Sequence, residues 1–226
     1  MELPAWTDRL ERSLGEWSIP YLIRGIIGLN VLVWLMNSFS QTGDGSPSFA
    51  AFLFLHYDLV LKGEFWRVIT FLFVPSVGNN MLSPLFLLFF VIFTWFISDI
   101  LESTWGSFKV TLYFVIGVVS INIAAYLTGT AGTNLILMQS LLFSVAVLYP
   151  HIEITMLLIP IPIKLKWIAI ISGAVLVFDF IRIPLFRPII LASLLPFALY
   201  IGPAAIAQFK QRREAQARMK RFRGED

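Results

Sequence analysis

The stretch Gly63-Glu64-Phe65-Trp66-Arg67-Val68-Ile69-Thr70-Phe71-Leu72-Phe73-Val74-Pro75, GEFWRVITFLFVP, sets a Trp-Arg pair among Phe, Val and Ile. It closes a long connection, from Ser40 to about Leu82, that opens with QTGDGSPS and then turns strongly apolar: FAAFLFLHYDLVLKGEFWRVITFLFVP. A solvated linker would be polar. A long apolar connection has structure of its own, so this one predicts short helices partly sunk in a membrane interface, the alternative being a further span from about Phe65. Arg67 is tolerated there because it can snorkel to headgroups or bond backbone carbonyls, with Trp66 beside it at the interface. Both are structural rather than catalytic.

The rest of the chain supplies the membrane. Of 226 residues, 58% are hydrophobic and only 14% are charged, too few charges to cover a soluble domain of this length. The absence of cysteine excludes disulfides, thiolate catalysis, iron–sulfur clusters and Cys-based metal sites. With two histidines, His56 and His151, no metal site or proton relay is expected, and no cofactor.

Apolar runs near bilayer length recur. They predict an all-α polytopic bundle of six spans: Tyr21 to Phe39, Pro84 to Leu101, Phe108 to Leu127, Asn134 to Tyr149, Trp167 to Ile181 and Pro188 to Phe209. The first run has no small-x-small site close behind it and does not read as a cleaved signal peptide. Pro150, Pro160 and Pro162 block a helix between the fourth and fifth spans, and Pro196 and Pro203 bend the sixth. The segments are therefore 1–20, an amphipathic N-terminal piece; 21–209, the membrane domain; and 210–226, a basic tail. Leu3, Trp6, Leu10, Leu14 and Trp17 lay the N-terminal piece on the membrane surface.

The tail holds seven of the 17 basic residues. The positive-inside rule then puts both termini in the cytoplasm, with Arg9, Arg12, Arg24, Lys109, Lys164 and Lys166 inside and Lys62, Arg67, Arg182 and Arg187 outside. The tail's bases suit anionic lipids or a soluble partner; nucleic acid is a poor match for a membrane-tethered tail. The absence of an internal repeat argues against an inverted-repeat transporter.

Four stretches in order carry a family resemblance: GEFWRVITFLFVP with Trp66 and Arg67; LESTWGSFKVTLYF with Glu102, Trp105 and Gly106; AVLYPHIEI; and LLIPIPIKLKWIAII. The layout resembles the rhomboid superfamily of intramembrane serine proteases and their inactive relatives, including the derlins. The resemblance covers about Tyr21 to Ile181. It implies a six-helix bundle whose first loop lies laterally at the bilayer edge, and makes LESTWG a turn in which Gly106 supplies an unusual backbone angle and Glu102 caps or pairs.

It also implies a catalytic Ser in a Gly-x-Ser-Gly motif at the start of span four and a His on span six, and this chain departs at both places. Gly129-Thr130-Ala131-Gly132 has Ala131 where the nucleophile belongs, and the family spacing back from Pro150 points to Asn134. Spans five and six contain no histidine. Ser140 and Ser144 lie deeper in the helix, where hydroxyls satisfy themselves on backbone carbonyls. Asn30, Asn122 and Gln139 read as hydrogen bonds between helices, and Asp179 with Arg182 as an ion pair one turn apart.

The resulting expectation is a non-catalytic rhomboid-like protein that binds transmembrane client proteins within the bilayer, in quality control, trafficking or degradation. The alternatives are an intramembrane serine protease using Ser140 or Ser144, and a small-solute transporter subunit. The chain's short termini favour a prokaryotic plasma membrane; a derlin-like eukaryotic protein would sit in the endoplasmic reticulum. The C-terminal RGED is not a retention signal of the Lys-Asp-Glu-Leu type.

Overall fold

In the computed structural model, residues 3–40, 48–77, 80–156 and 159–223 are described; the polar connection read at 41–47, the last residues of the RGED end and the side chains of the basic tail 210–226 lie outside them. The chain is mostly helical: α1 (Ala5–Leu14), α2 (Leu22–Ser40), α3 (Tyr57–Val60), α4 (Arg67–Thr70), α5 (Ser83–Trp105), α6 (Ser107–Thr128), α7 (Leu135–Leu148), α8 (Leu165–Arg182) and α9 (Arg187–Arg223). One antiparallel hairpin, β1 (Glu153–Met156) and β2 (Ile159–Lys164), joins α7 to α8, with Glu153 opposite Lys164. That hairpin stands where Pro160 and Pro162 deny the backbone its helical donors.

Four helical segments are long and apolar enough to cross a bilayer: Leu22–Phe39, Ser83–Trp105, Ser107–Thr128 and Pro184–Ala204. Their outward faces are apolar. On α6, Val115, Val119 and Ile123 form an i, i+4, i+8 stripe, each more than half exposed. Stripes this greasy on several helices need lipid rather than water outside them, which makes this a membrane protein.

The other two expected spans differ. α7 has 14 residues, about 21 Å at 1.5 Å per residue and short of a hydrocarbon core of about 30 Å. It forms a central post. Leu137, Leu141 and Val145 are buried on it, and it packs against α5, α8 and α9. α8 has 18 residues but carries Lys166, Asp179 and Arg182. α9 carries Pro196 and Pro203 inside it, the positions where a bend was expected, and its helix continues past Phe209, where the span was expected to end. Membrane helices tolerate proline when neighbouring groups satisfy the freed carbonyl.

The N-terminal piece also departs from expectation. α1 packs against the end of the bundle: Trp6 stands edge-on to Tyr200 at 5.7 Å, and Lys109 Nζ reaches Asp8 at 2.6 Å and Glu11 at 3.3 Å. Leu14 and Trp17 stay exposed. The hydrogen bond from Lys109 holds the Asp8 carboxyl below its usual value. A carboxylate lowered by folding stabilises the docked form above its unfolded pKa, and that stabilisation is lost as pH falls through the lowered value. Acidification below about pH 4 is therefore expected to loosen α1. Spin labels on α1 and α6 would report the separation, and Asp8→Asn would remove most of the pH dependence.

Candidate functional site

The first loop is built from short helices, with no span from Phe65. A 3-10 turn at Phe49–Phe52 is followed by α3, α4 and a second 3-10 turn at Phe71–Phe73. A 3-10 turn this short leaves its last carbonyls without backbone partners, and here side chains of the quoted stretch take them. Trp66 Nε1 donates to Phe52 O at 3.1 Å, Thr70 Oγ1 to Leu53 O at 3.1 Å, and one Arg67 terminal nitrogen to both Ala51 O and Phe54 O at 2.8 Å. Arg67 is only 3% exposed, and its Nε donates to Glu64 Oε2 at 2.6 Å. Of the two roles expected for Arg67, bonding carbonyls is the one it fills. The Trp66 ring lies half exposed at the loop's outer face.

Three asparagines fasten this loop to the bundle. Asn30 on α2 and Asn134 at the start of α7 both donate to Leu72 O, at 3.2 and 2.6 Å. Asn134 also donates to Asn30 Oδ1 at 3.5 Å and accepts from Ser76 Oγ at 3.2 Å. Asn122 on α6 donates to Val68 O at 3.0 Å. The interhelical bonds expected of Asn30 and Asn122 are thus largely helix-to-loop bonds. Gln139 does bridge helices, donating to Ser172 on α8.

The degenerate nucleophile region belongs to the same fastening. Gly129 ends α6 in the left-handed region, Ala131 is half-buried, and Gly132 N–H donates to Leu55 O at 3.2 Å in an isolated antiparallel bridge. Asn134 is 2% exposed and occupied by the loop. Ser140 is fully buried; its hydroxyl shares a 2.6 Å bond with Tyr113 OH and donates to Leu137 O, while Ser144 donates to Ser140 O at 3.0 Å. His56 and His151 are both exposed, one in the first loop and one after α7. Among the described residues no three His, Asp or Glu side chains gather as metal ligands.

The turn motif sits at the opposite end of α5. Gly106 has φ 80°, a backbone angle that side chains resist, and it lets α6 start one residue after α5 ends. Glu102 Oε1 accepts from Tyr21 N at 2.6 Å and from Ser107 Oγ at 3.0 Å. It thereby holds Tyr21, at φ 57°, ahead of α2. Asp99 pairs with Arg24. Trp105 packs on Tyr113 and Tyr200.

A cleft of about 520 Å³ opens between α5 and α8. Phe90 and Phe93 form one wall, Val175 and Leu176 the other, and Met138 and Leu142 of α7 the floor. α7 packs against α5 and α8, whereas α5 and α8 make no extensive contact with each other. α8 buries only Leu165 and Leu176, while Ile170, Ile171 and Phe178 are more than half exposed. Its first turns are anchored in the main core by Leu165, Ile168 and Ala169, and its second half is held by a small apolar cluster, Ile136–Leu176–Ile190, and by the Gln139–Ser172 bond. The ion pair expected between Asp179 and Arg182 is not formed. Arg182 lies over the Phe178 ring at 5.0 Å, one turn back, and Asp179 lines the cleft.

Glu64, Thr70, Ser76 and Tyr113 are working partners that sequence reasoning missed. Glu64, at i−3 from Arg67, had a legible signal; the others become partners only through the fold. No protein-family model, no curated protein and no solved structure matches this chain.

Proposed function

We propose that this chain is a rhomboid-like membrane protein of six spans without protease activity, which binds transmembrane client proteins at the cleft between α5 and α8. The observation that carries the reading is the cleft itself. It is lined mainly by apolar side chains and lies between two helices, α5 and α8, that make no extensive contact with each other. α7 and α8 complete the six crossings by drawing the bilayer thin around them, at a modest cost for each ångström of mismatch. The basic tail places both termini inside, in a prokaryotic plasma membrane or the endoplasmic reticulum, where its bases meet anionic lipid or a soluble partner. Holding clients this way suits quality control, trafficking or degradation.

The absence of proteolysis is supported by three placements. Asn134 is tied to the loop; the Ser140 hydroxyl has Tyr113 and a carbonyl as partners; and neither histidine lies on α8 or α9. A serine protease needs a hydroxyl with a base beside it and donors for the oxyanion. Fluorophosphonate labelling of purified protein, with an active rhomboid protease as control, is expected to give no signal above a heat-denatured sample. Labelling abolished by Ser140→Ala or Ser144→Ala would move the function to proteolysis.

The cleft wall gives a second test. Gln139→Leu removes the bond from α7 to Ser172 but keeps the side chain's bulk. Loss of one interhelical bond costs about 1 kcal/mol in a membrane, so α8 is expected to separate more often from α5. Disulfide trapping between cysteines introduced at Phe90 and Val175 would slow several-fold. An unchanged trapping rate would mean that this bond does not hold the wall.

A further inference from the structure

The cleft is lined mainly by apolar side chains, its polar groups are the neutral Thr94, Thr133, Gln139 and Ser172, and its one charged lining residue is a carboxylate, Asp179. Asp179 stands on the last turn of α8 and lines the cleft together with Thr133 and Ile183. Among the described residues it has neither an ion pair nor a side-chain hydrogen bond. The cations nearest in sequence are engaged elsewhere: Arg182 on the Phe178 ring, and Arg187 donating to Phe180 O at 2.8 Å and Ile181 O at 3.3 Å. A structural aspartate at a membrane helix end is ordinarily paired with the cation beside it. Here that cation lies over an aromatic ring and the carboxylate faces the groove.

We infer that Asp179 selects among clients, favouring a transmembrane helix that carries a lysine or arginine about one turn in from its outer end. The inference rests on the client-binding function proposed above and gives it a specificity. An apolar helix fills the groove between Phe90 and Val175. Its basic side chain reaches Asp179 at the headgroup level, where a long cationic side chain snorkels in any case. The positive-inside rule keeps most basic residues on the cytoplasmic flank. With α8 ending outside, as proposed, a helix offering its cation there is inverted, or has lost the acidic partner that should cover it. Asp179 thus gives the cleft a way of recognising unassembled or wrongly inserted segments by charge.

The test uses the full chain in phosphatidylcholine vesicles and two single-span peptides of Leu and Ala: one uncharged in its apolar stretch, the other with one lysine a turn from its outer end. Binding is read by energy transfer to a fluorophore on α5. The lysine peptide is expected to bind about fivefold tighter, between the values of an exposed and a desolvated ion pair. Asp179→Asn should bring it to the level of the uncharged peptide, weakening the lysine peptide several-fold more than the uncharged one. Equal binding of the two peptides to the native chain, or equal weakening of both by Asp179→Asn, overturns the inference while leaving client binding intact. Binding of neither peptide overturns client binding and this inference together.

Discussion

Arg67→Ala is expected to be the most damaging single substitution in the first loop, lowering stability by about 3 kcal/mol, the low end for breaking a buried ion pair because the Glu64 side chain left behind is 31% exposed. The guanidinium is 3% exposed and serves Glu64, Ala51 O and Phe54 O together. Removing it leaves the Ala51 and Phe54 carbonyls without this donor and the partly exposed Glu64 carboxylate without its partner. The damage should concentrate in residues 48–75, so hydrogen exchange there should accelerate far more than in α6 or α7. Arg67→Lys keeps the charge but not the planar fork that reaches three acceptors, and should fall between native and alanine. Because Glu64 and Arg67 share one interaction, the double alanine variant should cost less than the sum of the singles. Additive losses would mean that the carbonyls, rather than Glu64, carry the effect.

Gly132→Val is the second large effect. A Cβ at this position would lie 2.5 Å from Leu55 Cδ2 and 3.0 Å from Ile121 Cγ2. Leu55 belongs to the loop and Ile121 to α6, and both are fully buried, so neither can give way freely. Overpacking of this kind costs about 3 kcal/mol. The strain should be relieved by pushing the loop off the bundle, breaking the bond from Gly132 N–H to Leu55 O. The expected readout is a lower melting temperature in detergent together with proteolytic cutting in residues 48–62. If Gly132→Val melted like the native chain and resisted cutting, the loop would not be seated as described.

The helices were largely legible in the sequence because their ends are punctuated. Pro84 opens α5, Gly106 separates α5 from α6, Gly129 closes α6, and the prolines of LLIPIPIK forbid a helix before α8. Legibility stopped where partners are distant backbone atoms. Arg67 bonds carbonyls 13 and 16 residues upstream, and Asn134 a carbonyl 62 residues away. A carbonyl carries no side-chain signature, so the sequence could propose that Arg67 bonds carbonyls but not which ones. The position expected from family spacing to replace a nucleophile, Asn134, proved to be a loop fastener for the same reason.

Three further departures have simple physical causes. The 3.6-residue pattern of the N-terminal piece signals an apolar face but not what covers it; Leu3 and Trp6 pack on the core, Trp6 against Tyr200, where lipid was expected. The spacing of Asp179 and Arg182 permits an ion pair, but the Phe178 ring at i−4 competes for the same guanidinium. The apolar run of α7 reads as a span of ordinary length, but its helix has only 14 residues and is largely buried among its neighbours, which composition alone does not signal.

The central claim is that the cleft between α5 and α8 receives transmembrane segments. The most direct measurement places a photocrosslinking benzoylphenylalanine at Val175, on the cleft wall, and for comparison at Ile123, on the outward face of α6, in cells making the full chain. The account predicts that Val175 crosslinks to apolar spans of other membrane proteins while Ile123 yields chiefly lipid adducts. Lipid adducts alone at Val175, or the same protein adducts from both positions, would contradict it.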